Sequence, residues 1–119
     1  MKFIVSTSSL LKQLQAISGA LSNAAVLPIL ENFLFEINEG NLTVSATDLQ
    51  TSMTTSLTVE SKENGRIAIP SKILLDTLKN LPEQPVIFSI DNQSFAIEIS
   101  AGDGKYKLSG ENGEDFPKL

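Results

Sequence analysis

The chain has 119 residues, 41% hydrophobic and 19% charged, with 9 lysine and arginine residues against 14 aspartate and glutamate residues and a net charge of -5. A domain of this size buries about 65% of the surface of its unfolded chain, enough for a core without cross-links. Cysteine and histidine are both absent, which excludes disulfides, zinc sites of the usual type, cysteine nucleophiles and an imidazole general base.

No run approaches the ~18 apolar residues of a membrane span. Met1-Lys2-Phe3-Ile4-Val5 is cut short by Ser6-Thr7-Ser8-Ser9 before a signal-peptide core develops, so the opening reads as mature sequence. The lack of cysteine suits a reducing compartment and equally a cysteine-free secreted domain. Two sequons, Asn41-Leu42-Thr43 and Asn92-Gln93-Ser94, fall where hairpin turns are expected.

In chain order, the first element is a strand at Phe3. A helix follows, with Leu10, Leu11, Leu14 and Ile17 at i, i+1, i+4 and i+7 and serine and threonine residues before it to cap its start. Period-two alternation then runs from about Asn32 to Glu60: Phe33, Phe35 and Ile37; Leu42, Val44 and Ala46; Met53, Leu57 and Val59. These rows predict a three-stranded meander with a hairpin turn at Asn38-Glu39-Gly40-Asn41.

After the polar join Ser61-Lys62-Glu63-Asn64, a strand is expected at Gly65–Ile69 and a helix on Leu74, Leu75, Leu78 and Leu81, with Ser71 as its N-cap and Leu81-Pro82 as its stop. Three more strands follow at Val86–Ile90, Phe95–Ile99 and Lys105–Ser109. Each half thus reads strand, helix, three strands, over about 1–60 and 65–110. The expectation is a single α+β domain over 1–119, with two pseudo-symmetric repeats, about eight antiparallel strands and two helices on one face.

The helical segments carry three lysines, Lys12, Lys72 and Lys79, against one acid, Asp76; this +2 leaves -7 for the remainder of the chain. With the apolar stripes turned inward, Lys12, Gln13, Gln15, Lys72, Asp76 and Lys79 should share the outer face of the helices. A weakly basic helical face opposite an acidic sheet surface would attract a polyanion to one side; an ordinary solvated face is the plainer alternative.

No motif carries catalysis. Gly102-Asp103-Gly104-Lys105 lacks the preceding glycine, the following serine or threonine and the helix of a phosphate loop, and reads as a hairpin turn. Asp48, Asp91, Asp103 and Asp115 sit at strand ends, where turn preference explains them. No enzyme activity, cofactor or metal is expected. On the last strand Tyr106 and Leu108 alternate with Lys105 and Lys107, a pattern that fits both core packing and an edge completed by a partner's strand.

Met1-Lys2-Phe3, Leu10-Leu11-Lys12, Leu27-Pro28-Ile29-Leu30, Thr47-Asp48-Leu49, Ile69-Pro70, Leu81-Pro82 and Asp115-Phe116-Pro117 occur in the order and spacing of a known family. The whole chain closely resembles the N-terminal domain of the bacterial DNA polymerase III β subunits, the sliding clamps. The resemblance implies a DNA-clamp fold and a ring-shaped, cytoplasmic, non-catalytic processivity factor that encircles duplex DNA without reading sequence and tethers the replicative polymerase.

It implies DNA-facing roles for Lys12, Lys72 and Lys79. Where relatives often carry an arginine, this chain has Asn23, Ala24 and Ala25, leaving Ser22 and Asn23 as hydrogen-bonding candidates. It further implies a head-to-tail homodimer, with Ile73, Lys105, Tyr106 and Leu108 meeting the C-terminal domain of the next subunit. Ile73 stands where relatives commonly place a basic residue, which favours apolar contact over an ion pair. The chain would be the first of three domains, with polymerase and clamp loader binding through later ones. The competing reading is an acidic β-rich module that binds protein or glycan.

Overall fold

A computed structural model of the chain describes residues 1–21 and 27–118. The elements are β1 (Lys2–Ser6), α1 (Thr7–Ile17), β2 (Asn32–Asn38), β3 (Asn41–Thr47), β4 (Ser52–Thr58), β5 (Gly65–Pro70), α2 (Ser71–Lys79), β6 (Pro85–Ile90), β7 (Ala96–Ala101), β8 (Gly104–Ser109) and β9 (Glu111–Asn112). Strand, helix and three strands repeat as expected. The eight expected strands become nine, because Gly110 breaks the last one and its two-residue continuation pairs elsewhere.

The strands form two antiparallel sheets, ordered β1-β6-β7-β8 and β4-β3-β2-β5-β9. Neither sheet is made by one repeat. β1 pairs with β6 of the second repeat, Phe3 opposite Phe88, while β5 pairs with β2 of the first, Ile67 opposite Phe35. The repeats have exchanged their first strands symmetrically, so neither can bury its own apolar rows without the other.

The sheets also meet at both seams. Past β4, Glu60 exchanges main-chain hydrogen bonds with Ile4 of β1; past β8, β9 pairs Glu111 with Ala68 of β5. At the second seam Gly110 is packed so closely that a Cβ there would lie 2.8 Å from Ile97 Cδ1 and 2.9 Å from the Ala68 carbonyl.

One core lies beneath both helices. Leu10, Leu14 and Ile17 of α1 and Leu74 and Leu78 of α2 join the buried rows of both sheets. At its centre Phe3 and Phe88 stack at 4.7 Å, and Phe35 from the other sheet tilts against each at 6.2 Å. A smaller cluster, Leu34, Ala68 and Phe116 with Ile29, sits on the opposite face of the five-stranded sheet, where the segment after β9 folds back.

The helix starts differ from one another. Ser6 caps α1 by accepting from the Ser9 amide at 3.2 Å. Ser71, expected to cap α2, is instead its first helical residue after Pro70, and its hydroxyl donates to the Glu31 carbonyl at 2.6 Å. Proline's fixed φ already sets the entry, which frees the serine to tie the helix to the first repeat. Among the described residues no helix is long and apolar enough to cross a membrane.

Candidate nucleic-acid interface

The two helices pack against each other. Since α1 buries Leu10, Leu14 and Ile17, Lys12 and Gln15 are left exposed on its far side. Likewise α2 buries Leu74 and Leu78 and exposes Lys72, Asp76 and Lys79. Lys72 and Lys79 are seven residues apart, two turns and about 10 Å along one face. Among the described residues none of the three lysines is in an ion pair.

Gln13 does not join them. It is half-buried and accepts a hydrogen bond from the Thr55 hydroxyl of β4, so it anchors α1 to the sheet instead of facing outward. Asn80 is likewise occupied, its amide donating to the Asp76 carbonyl at 2.9 Å. The open face of the helices carries three exposed lysines with Asp76 and Gln15, and the exposed Glu31 lines one pocket with Lys72 and Asp76. Lysine acts as a mobile point charge without fixed donor geometry, so this face suits phosphate contact and not base readout. Ser22 and Asn23 lie outside the described residues.

The expected acidic sheet surface is only half present. On the four-stranded sheet the outer face carries Lys2, Lys105 and Lys107 against Glu98, with Lys105 Nζ 3.9 Å from Glu98. The acids gather instead on the five-stranded sheet, where Arg66 is held between Glu36 and Glu114 (3.4 Å to the latter), and Glu111 accepts from Asn32 at 3.3 Å. The Glu36 hydrogen bond is the chief cause that raises the Arg66 pKa. The asymmetry arises because strand exchange sends the lysine-bearing β1 to the sheet that already holds β8.

β8 is an edge strand. Tyr106 is 39% exposed and Ile73, in the first turn of α2, 47% exposed. The Tyr106 hydroxyl lies over Gly104, where a Cβ would come within 3.1 Å of it. Leu108 differs from its expected neighbours, being only 7% exposed and part of the main core. The Gly110 amide bonds to the Phe95 carbonyl, and by alternation along the strand Leu108 also points its main chain at β7. The outward main-chain groups therefore belong to Lys105, Lys107 and Ser109, the last of which sequence reasoning did not single out for this edge.

Two of the strand-end acids are structural. Asp48 accepts from the Thr51 amide at 2.7 Å and the Gln50 amide at 2.9 Å, and Asp91 from Gln93 at 2.8 Å and Ser94 at 3.2 Å; these backbone hydrogen bonds hold both carboxyls below the usual value of 3.8. Among the described residues there is no cluster of three or more acids placed to hold a metal.

Two exchanged strand-helix-three-strand units over a shared core define a clamp-type α+β domain, and solved sliding clamps share this fold. A putative DNA polymerase III β subunit from Eubacterium rectale superposes with a TM-score of 0.94 at 29% identity, and the Bacillus subtilis clamp with 0.94 at 20%, where only the fold is informative. Each match covers 100% of this chain, and 32% and 33% of the other chain respectively.

The chain belongs to the family described as the DNA polymerase III beta subunit, N-terminal domain, whose model matches residues 1–119. It is 35% identical over 120 residues to the beta sliding clamp of Vibrio cholerae, covering 100% of this chain and 32% of that protein. It is 34% identical over 121 residues to that of Vibrio harveyi, covering 100% and 82%. The chain thus spans about a third of the Vibrio cholerae and Eubacterium rectale proteins. These relationships favour the clamp reading over the acidic protein- or glycan-binding module.

Proposed function

We propose that this chain serves as the first domain of a DNA sliding clamp, lining a ring around duplex DNA with its helical face and so tethering the replicative polymerase in the cytoplasm. The observation that carries this reading is the pair of helices lying together over one core, with Lys12, Lys72 and Lys79 outward. Three hydrated lysines beside Asp76 give a shallow attraction to phosphate, which suits a ring that must slide. The function is topological and needs neither catalysis nor cofactor.

Assembly would follow from the β8 edge. Lys105 and Tyr106, with Ile73 from α2, would meet the C-terminal domain of the next subunit in a head-to-tail dimer, with Leu108 supporting them from the core. Polymerase and loader would bind through domains beyond this one.

The test is duplex binding at low salt. Log affinity should fall with log salt with a slope of about -2 to -3, the signature of two or three lysine-phosphate contacts. Replacing Lys12, Lys72 and Lys79 together by Glu should abolish binding and leave the thermal transition unchanged. Binding that survives this triple substitution would remove the helical face from the interface.

A further inference from the structure

The helices that carry the three lysines come from different repeats, and matching hydrogen bonds tie each to the other repeat. Ser6 of β1 pairs with Pro85 of β6, and Pro70 of β5 pairs with Asn32 of β2. At each of these two corners the residue after the first strand begins a helix, and its hydroxyl donates to the carbonyl of the residue just before the second strand. Thr7 donates in this way to Gln84 at 2.8 Å, and Ser71 to Glu31 at 2.6 Å. Both side chains are buried.

The two ties are equivalent in place but not in backing. At the start of α1 the Thr7 amide also donates to the Gln84 carbonyl at 2.9 Å, and the Ser8 amide to the Glu83 carboxylate at 3.3 Å. The Ser6 hydroxyl accepts from the Ser9 amide besides. At the start of α2, Pro70 in the N-cap position supplies no side-chain acceptor. Among the described residues neither the Ser71 amide nor the Lys72 amide bonds to the first repeat, so the Ser71 hydroxyl holds this corner without support.

Lys72 is the next residue, and Lys79 ends the same nine-residue helix. So short a helix moves as a rod of about 13 Å, and a shift at its start carries both lysines relative to Lys12 of α1. Each ammonium swings on its stem, but the helix sets the centre of its swing.

We infer that Ser71 is a positioning residue for the nucleic-acid face: its hydroxyl, fixed to Glu31, sets where Lys72 and Lys79 stand with respect to Lys12. The inference rests on the DNA-binding reading above. A stiff duplex presents its phosphates at set places, which a displaced pair of lysines cannot all meet together, whereas a flexible single strand follows the lysines wherever they stand. Thr7 is the counterpart whose hydroxyl α1 can lose, because its other bonds remain.

The test compares a short duplex with a single strand of equal length by fluorescence anisotropy, at a temperature where every variant is folded. Ser71→Ala should lose at least about threefold in duplex affinity and flatten the duplex salt slope by about one unit, with single-strand affinity unchanged. Thr7→Val removes a hydroxyl of the same kind and should lower the thermal transition similarly, yet keep the ratio of duplex to single-strand affinity. Ser71→Thr retains the hydroxyl, at a corner whose counterpart already holds a threonine, and should keep that ratio as well.

A ratio unchanged in Ser71→Ala, an equal fall in Thr7→Val, or a fall in Ser71→Thr would overturn the assignment. A wild-type chain that binds no duplex would remove the DNA-binding reading and this inference with it. Binding that the triple lysine substitution abolishes and Ser71→Ala leaves intact would sink the positioning role alone.

Discussion

Ile4 and Glu60 exchange both main-chain hydrogen bonds, 2.9 Å from the Ile4 amide and 3.1 Å from the Glu60 amide, and so join the outer strand of one sheet to the end of an outer strand of the other. The seam at Glu111 and Ala68 repeats this closure on the opposite side. Between them the aromatic trio of Phe3, Phe88 and Phe35 bridges the two sheets. The stability of the helical face depends on this closure, because both helices rest on side chains from both sheets.

Gly110 and Gly19 should respond oppositely to alanine. A Cβ at Gly110 meets the Ile97 side chain and the Ala68 and Phe95 carbonyls within 2.8 to 3.0 Å, whereas one at Gly19 meets nothing within 4 Å. Gly110→Ala should cost about 1–3 kcal/mol by overpacking. Gly19→Ala should be neutral or stabilise by up to about 1 kcal/mol by restricting the unfolded chain. Urea denaturation of the two variants checks the contrast.

Phe88 is fully buried and stacked on Phe3. Phe88→Ala should lower stability by about 3–5 kcal/mol, through lost burial and the cavity left between the sheets. Equilibrium unfolding measures the loss; a cost under about 1 kcal/mol would mean that the aromatic trio does not hold the sheets together.

Acid should destabilise the turns before it touches the core. The folded-state pKa values of Asp48 and Asp91 are held below 3.8 by backbone amides, so their contribution is present above the unfolded value and disappears as pH falls through the folded one. The urea midpoint should therefore drop below about pH 4. In Asp48→Asn that drop should be shallower, as paired titrations between pH 7 and 2 would show.

Arg66 should matter more for the closing segment than for the fold. Its pairs with Glu36 and Glu114 are largely solvent-exposed, so Arg66→Ala should cost under about 1 kcal/mol. Amide exchange should nevertheless quicken at Glu114, which loses its cation, and stay unchanged at Phe116, which keeps its contacts with Leu34 and Ala68.

Asp76 lies between Lys72 and Lys79 on the exposed side of α2. Asp76→Asn should tighten duplex binding at low salt by about twofold or more, by removing a repulsive charge from between the two lysines. Fluorescence anisotropy across a salt series reads the change, and the gain should vanish at high salt.

Much of the architecture was legible in the chain itself. Leu10, Leu14 and Ile17, and Leu74 and Leu78, announce helices, and rows such as Phe33, Phe35 and Ile37 announce strands. Burial has a period set by local backbone geometry, so a single segment reveals it. The lysines on the helices were visible for the same reason, as was the repeat. What only the tertiary structure decided is which segment lies beside which: that β1 joins β6 and β5 joins β2, that Gln13 turns down to Thr55, that Leu108 is core, and that the lysines of β1 and β8 share one face. Those outcomes depend on contacts between residues far apart in sequence, and the strand exchange that sets them leaves no local period to read.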